Sequence, residues 1–173
     1  MPAWHNESAR GQRCPGMIHE TPEAFAAALA PARGIAGLDL GEKTIGVAVS
    51  DPLLSVATPL RTLRRAKFSD AADALLALAQ ERALCGFVLG LPRNMDGSEG
   101  PRCQSTRAFA RNLAARTPLP IGFWDERLST VAAERALLEA DTSRARRAEV
   151  IDHVAAGYIL QGLLDRMNHM RRA

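Results

Sequence analysis

Several features common in other protein classes are scarce or missing in this chain of 173 residues. Its three cysteines, Cys14, Cys85 and Cys103, are odd in number and show no Cys-x-x-Cys spacing. That pattern argues against a disulfide framework or a thiolate zinc site and predicts reduced thiols. The sequence has no run of about 18 apolar residues, which argues against a membrane-spanning helix. Its N-terminus lacks the apolar core of a signal peptide, so we expect a cytoplasmic protein.

Positive charge is present in modest excess, with a net charge of +3 and a pI near 9.1. It is concentrated in three stretches, residues 61–67, 102–116 and 144–147. A solvated surface is the ordinary explanation of any one such cluster. Three clusters beside a single acidic site would be harder to explain in that way, and they would favour a nucleic-acid partner.

The chain divides into a flexible N-terminal extension, residues 1–33, and a domain over residues 34–170. Thr21-Pro22-Glu23 predicts a short helix in the extension, with Thr21 as N-cap and Pro22 at the first helical position. In the domain the patterns predict strands over 34–40, 44–50, 56–63, 86–91 and 120–125. They predict helices over 69–83, 103–116, 129–139 and 148–170, the first and third capped by Ser69 and Ser129, and a charged loop over 141–147. A hairpin meander followed by alternating helix and strand predicts an α/β domain with a five-stranded mixed sheet flanked by helices.

The segment GLDLGEKTIGVAVSD, residues 37–51, places a carboxylate in an apolar strand. Side chains alternate along a strand, so Asp39 shares a face with Gly37. One register of the hairpin would add Gly46 and Ala48 to that surface, leaving it small and open to a ligand. The alternative is an edge strand that exposes Asp39 to solvent.

Two further acidic positions complete the pattern. Asp125 and Glu126 close the strand 120–125, at the end where α/β sites lie, although Glu126 could simply pair with Arg127. Asp152 shares a helical stripe with apolar and small residues, namely Ala155, Ala156, Ile159 and Leu163. A carboxylate on such a stripe needs a metal, a cation or a proton.

Carboxylates without cysteine or histidine ligands form an oxygen-only site, which suits Mg²⁺ or Mn²⁺. We therefore predict that Asp39, Asp152 and one of the pair Asp125 and Glu126 are metal ligands. Two ions bridged by carboxylates can activate water and stabilise the leaving oxygen in phosphodiester cleavage. The pattern predicts a metal-dependent nuclease.

Four segments in order resemble the YqgF/RuvX family, relatives of the Holliday junction resolvases with a ribonuclease H-like fold. They are GLDLGEKTIGVAVSD, VLGLPRNMDGSEGP, DERLST followed by AAERALLEA, and IDHVAAGYILQGLLD. The resemblance implies a nuclease that processes the 5′ end of precursor 16S rRNA in ribosome biogenesis, with Holliday junction resolution as the alternative. It places the family's catalytic acids on Asp39, Asp125, Glu126 and Asp152, and by analogy it favours Glu126 over Asp125 as the third metal ligand beside Asp39 and Asp152. Thr44 stands where many relatives carry arginine, and the strand 86–91 lacks the acidic residue that resolvases place near its end.

Contacts with substrate phosphates are predicted for seven basic residues: Lys43, Arg107, Arg111, Arg127, Arg144, Arg146 and Arg147. Arg107 and Arg111 are four residues apart and so share a helix face. The loop over 94–100 either presents backbone amides to phosphate or is a polar turn. Expected partners are precursor rRNA or branched DNA, bound by a monomer or a weak homodimer.

Two other functions start from similar residues. ATP-binding proteins of the actin and hexokinase type also begin with a glycine-flanked aspartate in a hairpin, but they need two such domains. A non-catalytic nucleic-acid-binding protein could keep the fold without turnover, although all four acids are present here.

Overall fold

A computed structural model of the protein describes residues 15–128 and 144–173, with the side chains of the last helix described from residue 152 onward. In chain order the elements are β1 (Ile18–His19), α1 (Pro22–Ala28), β2 (Ala36–Leu40), β3 (Thr44–Ser50), β4 (Ala57–Arg64), α2 (Phe68–Glu81), β5 (Phe87–Leu91), α3 (Pro101–Ala114), β6 (Ile121–Asp125), a 3-10 turn (Glu126–Leu128) and α4 (Arg144–Arg172). The predicted helix 129–139 and its cap Ser129 lie outside the described residues.

One mixed sheet organises these elements, in the order β1-β6-β5-β2-β3-β4. Strands β2, β3 and β4 are antiparallel, whereas β1, β6, β5 and β2 are parallel. The predicted mixed sheet is therefore confirmed, with six strands instead of five. The additional strand is β1, whose two residues are too few to show any periodicity in the sequence.

Helices cover both faces of the sheet, as predicted. Helices α2 and α3 pack on one face, where Leu38, Leu40, Ile45, Val47 and Leu89 belong to the larger apolar cluster. Helices α1 and α4 pack on the other, together with Ile35, Ala48 and Val88. None of the helices in the described ranges combines the length and apolar composition that crossing a bilayer requires.

Several boundaries differ from those predicted, for identifiable reasons. Helix α2 begins at Phe68 after Lys67, so Ser69 lies inside the first turn and is not its cap. Helix α3 begins at Pro101, because proline is favoured at the first helical position. The predicted charged loop 141–147 is helical from Arg144, since alanine and arginine are strong helix formers.

The segment before the sheet's central hairpin packs against the fold. Thr21 caps α1 as predicted, accepting a hydrogen bond from the Ala24 N–H at 3.2 Å. Phe25 is buried, and Cβ atoms placed on Gly86 and Gly122 would come within 3.1 and 2.7 Å of its ring. The two glycines thus leave the space that this phenylalanine fills.

Candidate active site

Asp39 lies on β2, in the centre of the sheet, with only 2% of its surface exposed. The hairpin register pairs Asp39 with Gly46 and Gly37 with Ala48, which is the pairing considered in the sequence analysis. An exposed aspartate on an edge strand is therefore excluded. A carboxylate at this depth requires partners that offset its desolvation.

The glycines around Asp39 do not leave an open surface, and that expectation is wrong. A Cβ on Gly46 would lie 1.9 Å from the backbone oxygen of Asp152, and one on Gly37 would lie 2.7 Å from the Cβ of Leu160. Helix α4 thus crosses the sheet in direct contact with the backbone of β2 and β3. The glycines admit helix α4, where we had expected them to leave room for a ligand.

Glu126 lies on the same face of the sheet as Asp152, but over β5 instead of β3. A Cβ on Gly90 would lie 2.6 Å from the Glu126 Oε1 atom. Because Leu38 is in register with Leu89, Gly90 is the next position on β5 beside Asp39. Adjacent strands lie about 4.8 Å apart, so Asp39 has a glycine as its neighbour on each side. On β3 that neighbour is Gly46, which Asp152 covers, and on β5 it is Gly90, which Glu126 covers.

Asp152 is held by a contact that the sequence analysis did not anticipate. The Thr44 hydroxyl donates a hydrogen bond to the Asp152 Oδ2 atom. The remainder of the predicted stripe is buried as expected, at Ala155, Ala156, Ile159 and Leu163. The sequence analysis noted Thr44 only because it replaces an arginine found in many relatives. Its position at the start of β3 was the one sequence feature that could have indicated a contact with the site.

Asp125 has different surroundings from the other three acids. Arg127 donates to both of its carboxylate oxygens, with Nη2 2.7 Å from Oδ2 and Nε 3.1 Å from each oxygen. The Arg127 guanidinium lowers the pKa of Asp125, with smaller contributions from the Arg127 backbone N–H and from Arg93. This carboxylate is engaged in a local ion pair at the end of β6.

The predicted basic residues fall into three groups. Arg107 and Arg127 are engaged by carboxylates, and Lys43 and Arg111 are exposed. The side chains of Arg144, Arg146 and Arg147 lie outside the described residues, although their backbone forms the first turns of α4.

Arg107 is the most heavily paired of these cations. It donates to both oxygens of Glu99, at 2.6 and 2.7 Å, and to Glu20 at 2.8 Å. These hydrogen bonds raise its pKa, Glu99 contributing most. The guanidinium also lies 4.9 Å from the centre of the Phe123 ring, a cation–π distance.

The loop after β5 is tied together by its own side chains. Asn94 Nδ2 donates to the Ser98 hydroxyl at 2.9 Å, and Asp96 accepts from the Ser98 N–H at 2.9 Å. Gly97 has a φ of +86°, a conformation that favours glycine. These contacts match the polar turn, the second of the two interpretations of this segment. Arg93, which was not predicted, anchors the loop by pairing with Glu99 at 3.2 Å and Asp125 at 3.7 Å.

The chemistry of the three central acids suits a hard divalent cation, because all the donors are carboxylate oxygens. The imidazole of His153, which follows Asp152 in sequence, has its Nδ1 atom 3.1 Å from the Thr62 hydroxyl. Across residues 15–128 and 152–173, no group of three or more His, Cys, Asp or Glu side chains is arranged to hold a metal ion. The oxygen donors of Asp39, Glu126 and Asp152 fit such an ion by their chemistry.

A six-stranded mixed sheet with helices on both faces and a buried aspartate on its central strand defines a ribonuclease H-like fold. The sequence profile of the RuvX family, described as Holliday junction resolvase, matches residues 33–166. The chain belongs to this family.

Several bacterial proteins are very similar to this chain along almost their whole length. A protein of Cereibacter sphaeroides (strain KD131) is 71% identical over 156 residues, covering 90% of this chain and 98% of the relative. One of Paracoccus denitrificans (strain Pd 1222) is 72% identical over 156 residues, covering 90% and 99%. Both bear the name "Putative pre-16S rRNA nuclease".

Among solved structures, Thermus thermophilus RuvC in complex with a Holliday junction substrate matches with a TM-score of 0.49 and 12% identity. The match covers 79% of this chain and 96% of RuvC. The yeast mitochondrial Holliday junction resolvase Ydc2 matches with a TM-score of 0.45 and 10% identity, covering 87% of each chain.

Proposed function

We propose that this protein is a nuclease that hydrolyses phosphodiester bonds in structured nucleic acid and processes the 5′ end of precursor 16S rRNA in the cytoplasm. The observation that carries the proposal is the buried Asp39, flanked on neighbouring strands by the glycines beneath Asp152 and Glu126. The names of relatives about 70% identical support the substrate. We assign the activity to residues 34–170, acting as a monomer or a weak homodimer.

Three residues of the chain supply the catalytic carboxylates in this proposal. Asp39 is fixed by the central strand, Glu126 by the turn after β6, and Asp152 by helix α4 and the Thr44 hydroxyl. We rank Asp125 below them because its two oxygens already accept hydrogen bonds from Arg127. Asp125 then positions the turn that carries Glu126, without contacting the reacting atoms.

The same three acids would hold Mg²⁺ or Mn²⁺, since oxygen-only donors prefer hard cations. A pair of such ions supplies an activated water and charge stabilisation for the leaving oxygen in phosphodiester hydrolysis. Burial of Asp39 keeps bulk water from screening its charge, which strengthens its attraction for a cation.

The test compares the wild-type protein with its Asp39→Asn variant on labelled precursor 16S rRNA. Each is incubated with Mg²⁺, with Mn²⁺ and with a chelator. We expect specific cleavage by the wild type with a divalent ion and none by the variant. Asp73→Asn is the matched control, because Asp73 is an exposed helix residue whose ion pair in the described residues is with Arg116. Equal cleavage by Asp39→Asn and the wild type would overturn the proposal.

Resolution of Holliday junctions is the second candidate, favoured by the description of the matching family. The same incubation with a labelled four-way DNA junction distinguishes the two substrates. Symmetric nicking of the junction, with precursor RNA left intact, would establish the second candidate instead of the first.

A further inference from the structure

A cleft of about 460 Å³ opens at the end of β2, separate from the contacts of the three acids. The residues that line it include Gly41, Glu42, Arg65, Arg102 and Ser105. Gly41 follows Asp39 by two residues, which is about 7 Å along an extended strand. Leu40, whose side chain packs towards α2 and α3, also lines the cleft, so the cleft opens on the α3 side of the sheet. A nucleic-acid strand bound at Asp39 would pass the end of β2 to reach it.

The two arginines of the cleft differ from the paired arginines elsewhere. Arg65 donates to uncharged acceptors, the Gly41 carbonyl at 2.7 Å and the Ser105 hydroxyl at 2.8 Å. Arg102 is exposed and makes no side-chain hydrogen bond or ion pair with the described part of the chain. By contrast, five other arginines form ion pairs with carboxylates: Arg93, Arg107, Arg116, Arg127 and Arg166.

The position of Arg65 makes an anionic ligand favourable. Its guanidinium is half-buried and lies 5.8 Å from the centre of the Phe109 ring. Burial lowers the pKa of Arg65, which reflects a desolvation cost that no carboxylate offsets. Contacts to Gly41 and Ser105 fix the orientation of the guanidinium, so less entropy is lost when it binds a ligand.

The first turn of α3 adds a second source of positive potential. This 14-residue helix begins at Pro101, directly beside the two arginines, and its Gly100 cap provides no side-chain hydrogen bond. The N-terminus of a helix favours anions through its free N–H groups and its dipole. The carboxylate of Glu42 is the opposing charge at the rim of the cleft.

We propose that Arg65 and Arg102 form a binding site for a backbone phosphate of the nucleic-acid substrate, past the end of β2 from the phosphate at the carboxylates. Two guanidiniums that have no carboxylate partner among the described residues line one cleft beside a helix N-terminus, and forked guanidinium donors match phosphate oxygens. The inference rests on the proposed function in that the bound strand is the nuclease's substrate. Arg107 and Arg127, which were predicted to contact phosphate, are paired with carboxylates. Arg65 and Arg102, which are not among the seven predicted basic residues, are assigned that contact instead.

Binding is measured separately from cleavage, by fluorescence anisotropy of a labelled precursor 16S rRNA fragment. All variants are made in the Asp39→Asn background, so that the fragment stays intact. We expect Arg102→Gln to weaken binding about threefold to tenfold and to reduce the salt slope by about one, as for one lost phosphate contact. Glu42→Gln should strengthen binding, because it removes a like charge from the rim. Arg116→Gln is the matched control and should change neither quantity, since Asp73 already pairs with Arg116.

Arg65→Gln is expected to act in the same direction as Arg102→Gln. Because Arg65 also contacts Gly41 and Ser105, its thermal unfolding is measured in parallel, and Arg102 carries the test if that variant unfolds. Unchanged affinity and salt slope in Arg102→Gln would overturn the inference. A wild type that binds the fragment without cleaving it would contradict the proposed function only, and the arginine variants would still decide the inference.

Discussion

The two faces of the sheet are built differently from the same strands. Towards α2 and α3 the central strands present bulky aliphatic side chains: Leu38, Leu40, Ile45, Val47 and Leu89. Towards α4 the alternate positions are Gly37, Asp39, Gly46 and Gly90, and the space above the glycines is filled by the backbone of α4, by the side chains of Ile159 and Leu160, and by Glu126. One face therefore supplies stability by burying aliphatic side chains of the strands, whereas the other buries an apolar cluster around α4 and also positions the acidic residues. Substitutions on neighbouring residues should separate these roles.

The largest effect is expected from Asp39→Asn. Cleavage of precursor 16S rRNA should fall by more than about 100-fold, which is the upper range for losing a residue that only supports a metal ligand. The fold should be retained or slightly stabilised, because a buried charge is removed. The measurements are single-turnover cleavage and the midpoint of urea unfolding.

Leu38→Ala is the partner experiment on the opposite face. Leu38 is fully buried, so its truncation should lower the free energy of unfolding by about 2–5 kcal/mol. Activity per folded molecule should stay near that of the wild type. If Leu38→Ala instead abolished cleavage while still folded, the division between the two faces would be wrong.

Gly46→Ala should come next, because it acts on the close approach of α4. The added methyl would overlap the Asp152 backbone oxygen, so the helix must shift away from β3. We expect a loss of about 3 kcal/mol in the free energy of unfolding, at the upper end for overpacking, together with lower activity. Gly100→Ala is the control, since its Cβ would meet nothing closer than 3.6 Å. Equal stability of the two variants would show that α4 is not constrained by Gly46.

Thr44→Val removes the hydroxyl that donates to Asp152 while keeping a side chain of similar shape. We expect cleavage to fall about 10-fold, at the lower end for a residue that orients a ligand, with little change in unfolding. Thr58→Val on the exposed surface of β4 is the control. Raising the Mg²⁺ concentration should partly restore the cleavage activity of Thr44→Val. A loss of activity that stays the same at every Mg²⁺ concentration would contradict this positioning role.

The smallest effect concerns Asp125 and pH. Arg127 lowers the pKa of Asp125 below its ordinary value of 3.8, so the unfolded chain binds this proton more tightly than the folded protein. The pair therefore stabilises the fold at pH values above 3.8, and this contribution is lost as pH falls through the depressed value. Urea unfolding of wild type and Asp125→Asn should differ near neutral pH and converge in strong acid. The same variant should keep most of its cleavage activity. A loss as large as that of Asp39→Asn would make Asp125 a ligand.

Sequence patterns were sufficient for the central hairpin because its alternation is strong. The period of two from Gly37 to Ser50 gave the two strands but left their register open, and the observed pairing of Asp39 with Gly46 is the register that had been considered. Periodicity could not give the role of the glycines, because a glycine in a strand is compatible with close approach of either a ligand or another segment of the chain. Here the occupant is α4, which lies more than a hundred residues further along the chain.

Charge patterns were less informative than hydrophobic patterns. Arg107 was expected to contact phosphate, but Glu99 and Glu20 engage it in the folded protein. Glu20 lies 87 positions away in sequence, so local spacing could not reveal that pair. Arg65 and Arg102 share the cleft at the end of β2, and they too are distant in the sequence. Which cations are paired with carboxylates is decided by tertiary contacts.

The outer strands of the sheet bear on how copies of the protein can associate. Strand β1 covers the side of β6 with only two residues, and short edge strands are poor templates for further pairing. On the opposite side, β4 carries Pro59, which has no N–H to donate, and exposed Arg61 and Arg64. Aggregation through strand-to-strand addition is thus discouraged at both borders. Removing residues 15–30 would expose the edge of β6 and the space that Phe25 fills. The exposed edge strand would then be able to pair with a strand of another copy.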